Sequence, residues 1–240
     1  MVLSKLWKEV EPKKIVEGVV AYENCIEVPE GVVDTMNAEV DRWKQKVIDN
    51  NEYDRGGNYQ TVKNENGPIR FDPEIEFNEK ASKEYFWQVQ RNTLDKINNY
   101  KEIYPMVKDE IHWMEQYQYI TYKPPKYMNY HGDNRSTRNP ATGRFWNAPF
   151  LRRITALTYL TDEHQGGALD FEYFEHDPYK PPAGSLVIMP SAFVYSHATT
   201  PLLNGRKSAF LVACSSGFDL DSFLDGVPPE ELTRRQIIWN

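Results

Sequence analysis

Cysteine is nearly absent from this chain of 240 residues: Cys25 and Cys214 are the only two. They stand far apart and outside any metal-type spacing, which excludes a disulfide scaffold and suits a reducing, cytoplasmic location. Long apolar runs are missing as well, and none approaches the roughly 20 residues that a membrane-spanning helix needs. The opening MVLSKLWKEVEPKK turns charged at once, so no signal peptide is expected there. An excess of positive charge is also lacking. With 28 Lys and Arg against 35 Asp and Glu, the net charge is −7, which argues against a general nucleic-acid or membrane-surface binder. One local basic stretch remains, holding Arg135, Arg138, Arg144, Arg152 and Arg153. It reads equally well as a solvated loop or as a substrate-binding surface. Internal repeats and low-complexity segments are absent as well.

What is present is an ordinary globular balance, 40% hydrophobic and 26% charged, long enough for one domain over 1–240. Residues 15–28 read as one or two strands. In the stretch VVDTMNAEVDRWKQKVI, apolar residues at 32, 33, 36, 40, 43 and 47 have helical spacing. Residues 49–80 read as a long irregular loop with a short strand near 68–71. A second helix is expected from Ser82 to Tyr100, with its apolar stripe thinning between Asn92 and Asn99. From Ile111 the texture changes to strands: IHWMEQYQYITY, RRITALTYLT, ALDFEYF, PPAGSLVIMP and RKSAFLVACS. In RRITALTYLT, Thr155, Leu157 and Tyr159 alternate with Ile154, Ala156, Thr158 and Leu160; in ALDFEYF, Leu169, Phe171 and Tyr173 share a face. The stretch PPEELTRRQII closes the chain as a short expected helix. The expectation is an α+β, mainly β fold, a double-stranded β-helix (jelly roll) with N-terminal packing helices. Within it, 1–110 is a helical and strand support region, 111–216 the catalytic core and 217–240 a tail.

The chemistry gathers around YKPPKYMNYHGD. His131 and Asp133 are two residues apart, and on an extended strand such positions share a face. A third ligand, His197, follows 64 residues later, in YSHATTPLLNGRKS. Two histidines and a carboxylate on one face, with positions left open, make the ligand set of non-haem Fe(II) oxygenases. Arg206, nine residues after His197, is placed to hold the far end of a small acid whose near end sits on the metal.

About residues 113–215, the motifs resemble the prolyl-4-hydroxylase-like branch of the Fe(II)/2-oxoglutarate dioxygenases. Tyr122-Lys123-Pro124 precedes the ligands as in that family, and His131-Gly132-Asp133 matches its HxD. Arg152, Thr155, Leu157, Tyr159 and Leu160 match its RxxTxLxYL strand. Gly166-Gly167 with Leu169 and Phe171 matches its glycine turn. His197, Pro201, Gly205 and Arg206 match its HxxxPxxxG[KR]. The resemblance implies Fe(II) on His131, Asp133 and His197, with 2-oxoglutarate as co-substrate and ascorbate as an accompanying reductant. It implies Arg206 and the Tyr159 hydroxyl on the distal carboxylate, with Tyr122, Thr155 and Leu169 lining the same cavity. It also implies hydroxylation of a C–H bond, with a prolyl residue of a peptide or protein as the expected substrate. Pro125 departs from the family's glycine after tyrosine-lysine-proline, and the stretch Asn139 to Asn147 has no counterpart.

Other readings stay open at this point. A free amino acid or another small molecule could be the substrate. Two histidines and a carboxylate also hold catalytic zinc in hydrolases, and a jelly roll can serve as a non-catalytic module. The nucleic-acid-demethylating branch carries a second arginine six residues after the first, where this chain has Val212. His112, His164 and His176 have no partner spacing and read as surface or packing residues. The aromatics and arginines of the long loops (Tyr53, Tyr59, Arg144, Phe145, Trp146) suit the grip of an extended peptide or simple anchorage to the core.

Overall fold

The chain was studied as a computed structural model, which describes residues 5–52, 62, 66–134, 137–138, 145–146 and 151–216. The expected C-terminal helix, Tyr53, Tyr59, Arg135 and Arg144 lie outside the described residues, as do the side chains of Arg138, Phe145 and Trp146.

The chain forms β1 (Lys13–Val16), β2 (Val19–Tyr22), α1 (Val32–Asp49), β3 (Ile69–Phe71), α2 (Pro73–Glu76) and α3 (Lys80–Ile103). There follow β4 (Trp113–Met114), β5 (Gln118–Tyr122), β6 (Met128–His131), β7 (Thr137–Arg138), β8 (Phe145–Trp146) and β9 (Arg152–Tyr159). The last strands are β10 (Gln165–Gly166), β11 (Leu169–Phe171), β12 (Ser185–Pro190), β13 (His197–Thr199), β14 (Leu202–Asn204) and β15 (Lys207–Ser215). A large antiparallel sheet runs β1-β2-β12-β9-β15-β5-β3, with β4 also paired to β15. Smaller sheets are β11-β13-β6, β10-β14 and β7-β8. No helix among the described residues is long and apolar enough to cross a membrane.

Alternation sorts the large sheet's side chains into two cores. On one face Val20, Ile154, Ala156, Leu186, Ile188, Phe210 and Val212 pack against the helices through Met36, Val40, Trp43, Phe86, Val89 and Ile97. On the other face Val19, Ala21, Ile120, Tyr122, Leu157, Tyr159, Val187, Met189 and Ala209 meet Leu169, Phe171 and Leu202 from the small sheets. The face division read from RRITALTYLT is therefore the observed one. Layers run helices, large sheet, small sheets, and the inner core lies between the sheets.

The two helices form where the periodicity places them, α3 slightly longer than expected. Its thin stretch is buried through polar residues. Asn92 donates to Cys25 Sγ at 3.2 Å, and the fully buried Lys96 reaches Asp95 at 2.9 Å. The expected strand over ALDFEYF stops at Phe171, because its partner β13 is only three residues long. Tyr173 therefore leaves the shared face and stands 61% exposed. From the first 110 residues, β1, β2 and β3 are strands of the large sheet itself.

Candidate metal centre and anion pocket

The triad assembles across two strands of a small sheet. β13 and β6 pair with His197 opposite His131, so the two imidazoles meet at a ring separation of 4.6 Å. Asp133 follows His131 around Gly132, where the chain turns tightly under Phe193; a Cβ on Gly132 would lie 3.3 Å from the Phe193 Cα. The next amide, Asn134 N–H, donates to Ser191 O at 3.1 Å and fixes the far side of the turn. His131 Nε2 lies 3.6 Å from Asp133 Oδ1, and His197 Nε2 lies 3.9 Å from Asp133 Oδ2. One ligand atom from each residue can be chosen so that all three lie within 4.8 Å of one another.

Protonation and orientation favour a cation there. His131 Nδ1 faces Asn129 O at 2.8 Å, and His197 Nδ1 faces Tyr195 O at 3.0 Å. A carbonyl only accepts, so both Nδ1 atoms carry the proton and both Nε2 lone pairs point into the site. Burial holds the His197 imidazolium below its ordinary pKa, against the pull of Asp133. For Asp133, burial pushes upward, but the two imidazoles and the Thr155 hydroxyl outweigh it and leave the carboxyl below its usual range. Asp133 Oδ2 is buried with no hydrogen-bond partner among the described residues. An orphaned carboxylate oxygen is costly unless an ion satisfies it. These residues fit a divalent metal, and their two-nitrogen, one-oxygen set suits Fe(II).

The pocket beside the triad contains a different cation from the one expected. Tyr122, Thr155, Tyr159 and Leu169 all sit on the inner face, buried to 3% exposure or less. Thr155 shares a hydrogen bond with the Ser191 hydroxyl at 3.1 Å. Arg206 does not join them. It lies just before β15, in phase with Ser208 and Phe210 on the helix-facing side. There Nη1 pairs with Asp41 of α1 at 2.8 Å and Nε donates to Thr121 at 2.9 Å. It borders a cavity of about 630 Å³ formed with Asp34, Asn37, Asp162 and Glu163, away from the triad.

One residue on, parity brings Lys207 to the inner face, opposite Tyr122. Its ammonium donates to Gly167 O at 2.7 Å and Thr199 Oγ1 at 3.4 Å. It lies 5.3 Å and 5.2 Å from the Tyr122 and Tyr159 ring centres. Lys207 is 2% exposed, no carboxylate of the described residues pairs with it, and burial pushes its pKa down to about 7. The expected role of Arg206 thus fails on geometry. The signal that would have found Lys207 is strand parity, which is hidden because β15 is apolar on both faces.

The ligand turn has a further support that the motifs named without assigning. Arg152 grips Glu115 with Nε at 2.9 Å and Nη2 at 2.6 Å, while its Nη1 reaches the Asp133 carbonyl at 3.3 Å. The other histidines behave as packing groups. His176 Nε2 accepts from Phe171 N–H at 2.9 Å, and His164 Nδ1 faces Gly166 O at 3.1 Å.

Comparison with known proteins places this geometry. Residues 117–212 match the 2OG-Fe(II) oxygenase superfamily model, a span that includes the triad, Lys207, Tyr122, Thr155, Tyr159 and Leu169. No curated protein sequence matches the chain. Among solved structures, it is similar to a viral collagen prolyl hydroxylase from Paramecium Bursaria Chlorella virus-1 solved with 2OG. That match has 16% identity and TM-score 0.47, over 82% of this chain and 95% of that one. A prolyl-4-hydroxylase of Pseudomonas putida shows 17% identity and TM-score 0.47 over 82% and 92%. A Trichoplax adhaerens prolyl hydroxylase, solved with a hypoxia inducible factor peptide fragment, shows 13% and 0.49 over 88% of each chain. The matched segment and the assembled triad coincide: residues 117–212, which match the 2OG-Fe(II) oxygenase superfamily model, contain all three candidate metal ligands.

Proposed function

We propose that the chain is a 2-oxoglutarate-dependent dioxygenase that hydroxylates a C–H bond of a prolyl residue in a peptide or protein, with the two facing sheets as its jelly roll. The observation that carries the co-substrate assignment is the unpaired, buried ammonium of Lys207. A charge out of water without a counter-ion is unfavourable, so the natural partner is an anion entering the pocket. His197 and Thr199 share a face of β13, about 7 Å apart by strand rise, and Lys207 Nζ lies beside Thr199. That separation is comparable to the length of a five-carbon dicarboxylate. One end of 2-oxoglutarate then lies at the triad and the other at Lys207, with Tyr122, Tyr159 and Thr199 around it and Leu169 and Thr155 as walls.

His131, Asp133 and His197 would hold Fe(II). With 2-oxoglutarate and dioxygen, the bound metal supplies oxidative decarboxylation coupled to hydroxylation, giving succinate and carbon dioxide. The chain's own share is positional. It presents two neutral imidazoles and one ionised carboxylate, neutralises the distal carboxylate on Lys207, and keeps water from the tyrosine-lined interior.

The prolyl assignment is supported by the ordered motifs shared with the prolyl-4-hydroxylase-like branch. Exposed aromatics beside the ligands also favour a polypeptide: Tyr130 precedes His131 and is 46% exposed, and Phe193 over Gly132 is 78% exposed. Cys25 and Cys214, both buried and unpaired, suit a reducing cytoplasm.

The test is succinate formation from 2-oxoglutarate with Fe(II), scanned over proline-containing peptides and free amino acids. Peptide-dependent succinate with a +16 Da product is the expected result. Turnover confined to free amino acids would replace the peptide assignment with the small-molecule one.

A further inference from the structure

Asp133 is held by more than its side chain. Its main-chain carbonyl accepts from Arg152 Nη1 at 3.3 Å. Arg152 opens β9, and its register partner on β15 is Ser215. The guanidinium is in turn fixed by Glu115: Nε lies 2.9 Å from each carboxylate oxygen, and Nη2 lies 2.6 Å from Oε2. Glu115 is itself anchored twice. Its amide donates to Ala213 O at 2.8 Å, and its Oε1 accepts from the Ser215 hydroxyl at 2.9 Å. The Arg152 and Glu115 side chains are only 20% and 16% exposed, so solvent screens the pair weakly.

We propose that Glu115 is a positioning residue of the metal centre, acting through Arg152 on the main chain of Asp133; this rests on the triad being a metal site. Two physical effects run through the pair. A guanidinium gripped by a carboxylate fork has one orientation, so the remaining Nη1 holds the Asp133 carbonyl against the large sheet. The pair is also neutral. Without Glu115, an uncompensated positive charge would stand next to the ligand turn and oppose a divalent cation. Glu115 thereby sets both where Asp133 lies and how negative the site is.

The experiment is Mn(II) binding to the whole chain, followed by electron paramagnetic resonance and titration calorimetry, with circular dichroism to monitor folding. Glu115→Gln is expected to weaken Mn(II) binding about 10- to 100-fold, the range of outer-sphere partners of metal ligands. Glu115→Gln combined with Arg152→Gln is expected to recover part of that loss, because it removes the stranded cation. A purely structural role for Glu115 would show no recovery. Arg152→Lys keeps both charges but lacks the fork, and is expected to give a smaller loss; it carries the test if Glu115→Gln does not fold. Parental protein that fails to bind Mn(II) would overturn the metal reading and this proposal with it. Parental binding with folded variants all within twofold of it would overturn the positioning role alone.

Discussion

At the scale of single residues, two neighbouring cations have opposite fates. Lys207→Ala should raise the apparent 2-oxoglutarate requirement steeply. Losing one member of a desolvated charge pair costs about 2–5 kcal/mol, or roughly tens to thousands of fold in affinity. Arg206→Ala removes a partly exposed pair with Asp41 and should change that requirement by less than a few fold. Steady-state kinetics on both variants decide between them, and a reversed order would return the anion to Arg206. The pH dependence follows from the same site. Burial lowers the Lys207 pKa to about 7 in the free pocket, so below that pH the ammonium is already formed. As pH rises through 7 it deprotonates, and binding a carboxylate must then take up a proton. The apparent Kd for 2-oxoglutarate should climb up to about tenfold per pH unit above 7. For the fold the sign is the reverse. The unfolded lysine titrates at the ordinary 10.5, so this group's destabilisation is greatest below pH 7 and fades between 7 and 10.5. A flat affinity profile from pH 6 to 9, measured calorimetrically, would contradict this. At the triad, Asp133→Ala or His197→Ala should abolish stoichiometric metal binding, because two remaining ligands cannot hold the ion against water.

At the scale of elements, the helix-to-sheet interface carries much of the stability. Phe210 on β15 sits among Tyr119, Phe86 and Phe77, with ring centres at 5.1, 5.3 and 6.3 Å. Phe210→Ala should cost about 3–5 kcal/mol, the usual range for an aromatic lost from a packed core. Its side chain points away from the anion pocket, so denaturant unfolding should register the change while the 2-oxoglutarate requirement stays near the parental value. The glycine turn is also an element-scale constraint. Gly166 has φ 72, and a Cβ there would meet Pro201 O at 2.0 Å. Only glycine lets β10 approach β14 so closely. The apolar periodicity made α1, α3 and most strands legible. The stripe thins over the tail of α3, buried through Asn92, Thr93 and Lys96; there Asn92 donates to Cys25 Sγ, and Lys96 pairs with its neighbour Asp95 and with Glu9.

At the scale of the whole molecule, the helices pack directly on the large sheet. The large sheet takes β1, β2 and β3 from the first half of the chain, and α1 and α3 cover the outer faces of β9, β12 and β15. A fragment beginning at residue 111 should therefore expose Ile154, Ala156, Phe210 and Val212, bind a hydrophobic dye and aggregate. Recovery of that fragment as a soluble, cooperatively melting species would show that the second half folds alone.

What the sequence by itself determined is the grouping of His131, Asp133 and His197 as candidate ligands; their ligand atoms lie within 4.8 Å of one another, with Asp133 on the turn just past β6. The sequence also determined the helices and the two-faced β9, since both follow from local periodicity. Which of two neighbouring cations faces the pocket was left to tertiary structure. Arg206 and Lys207 are adjacent in the chain, and β15 is apolar on both sides because helices cover one face and small sheets the other. Hydrophobic alternation therefore could not say which neighbour points inward. Only the pairing register, Lys207 opposite Tyr122, decided it. Partners far apart in sequence settled the rest, with Asp41 drawing Arg206 outward and Glu115 steadying Arg152 beneath the metal ligands.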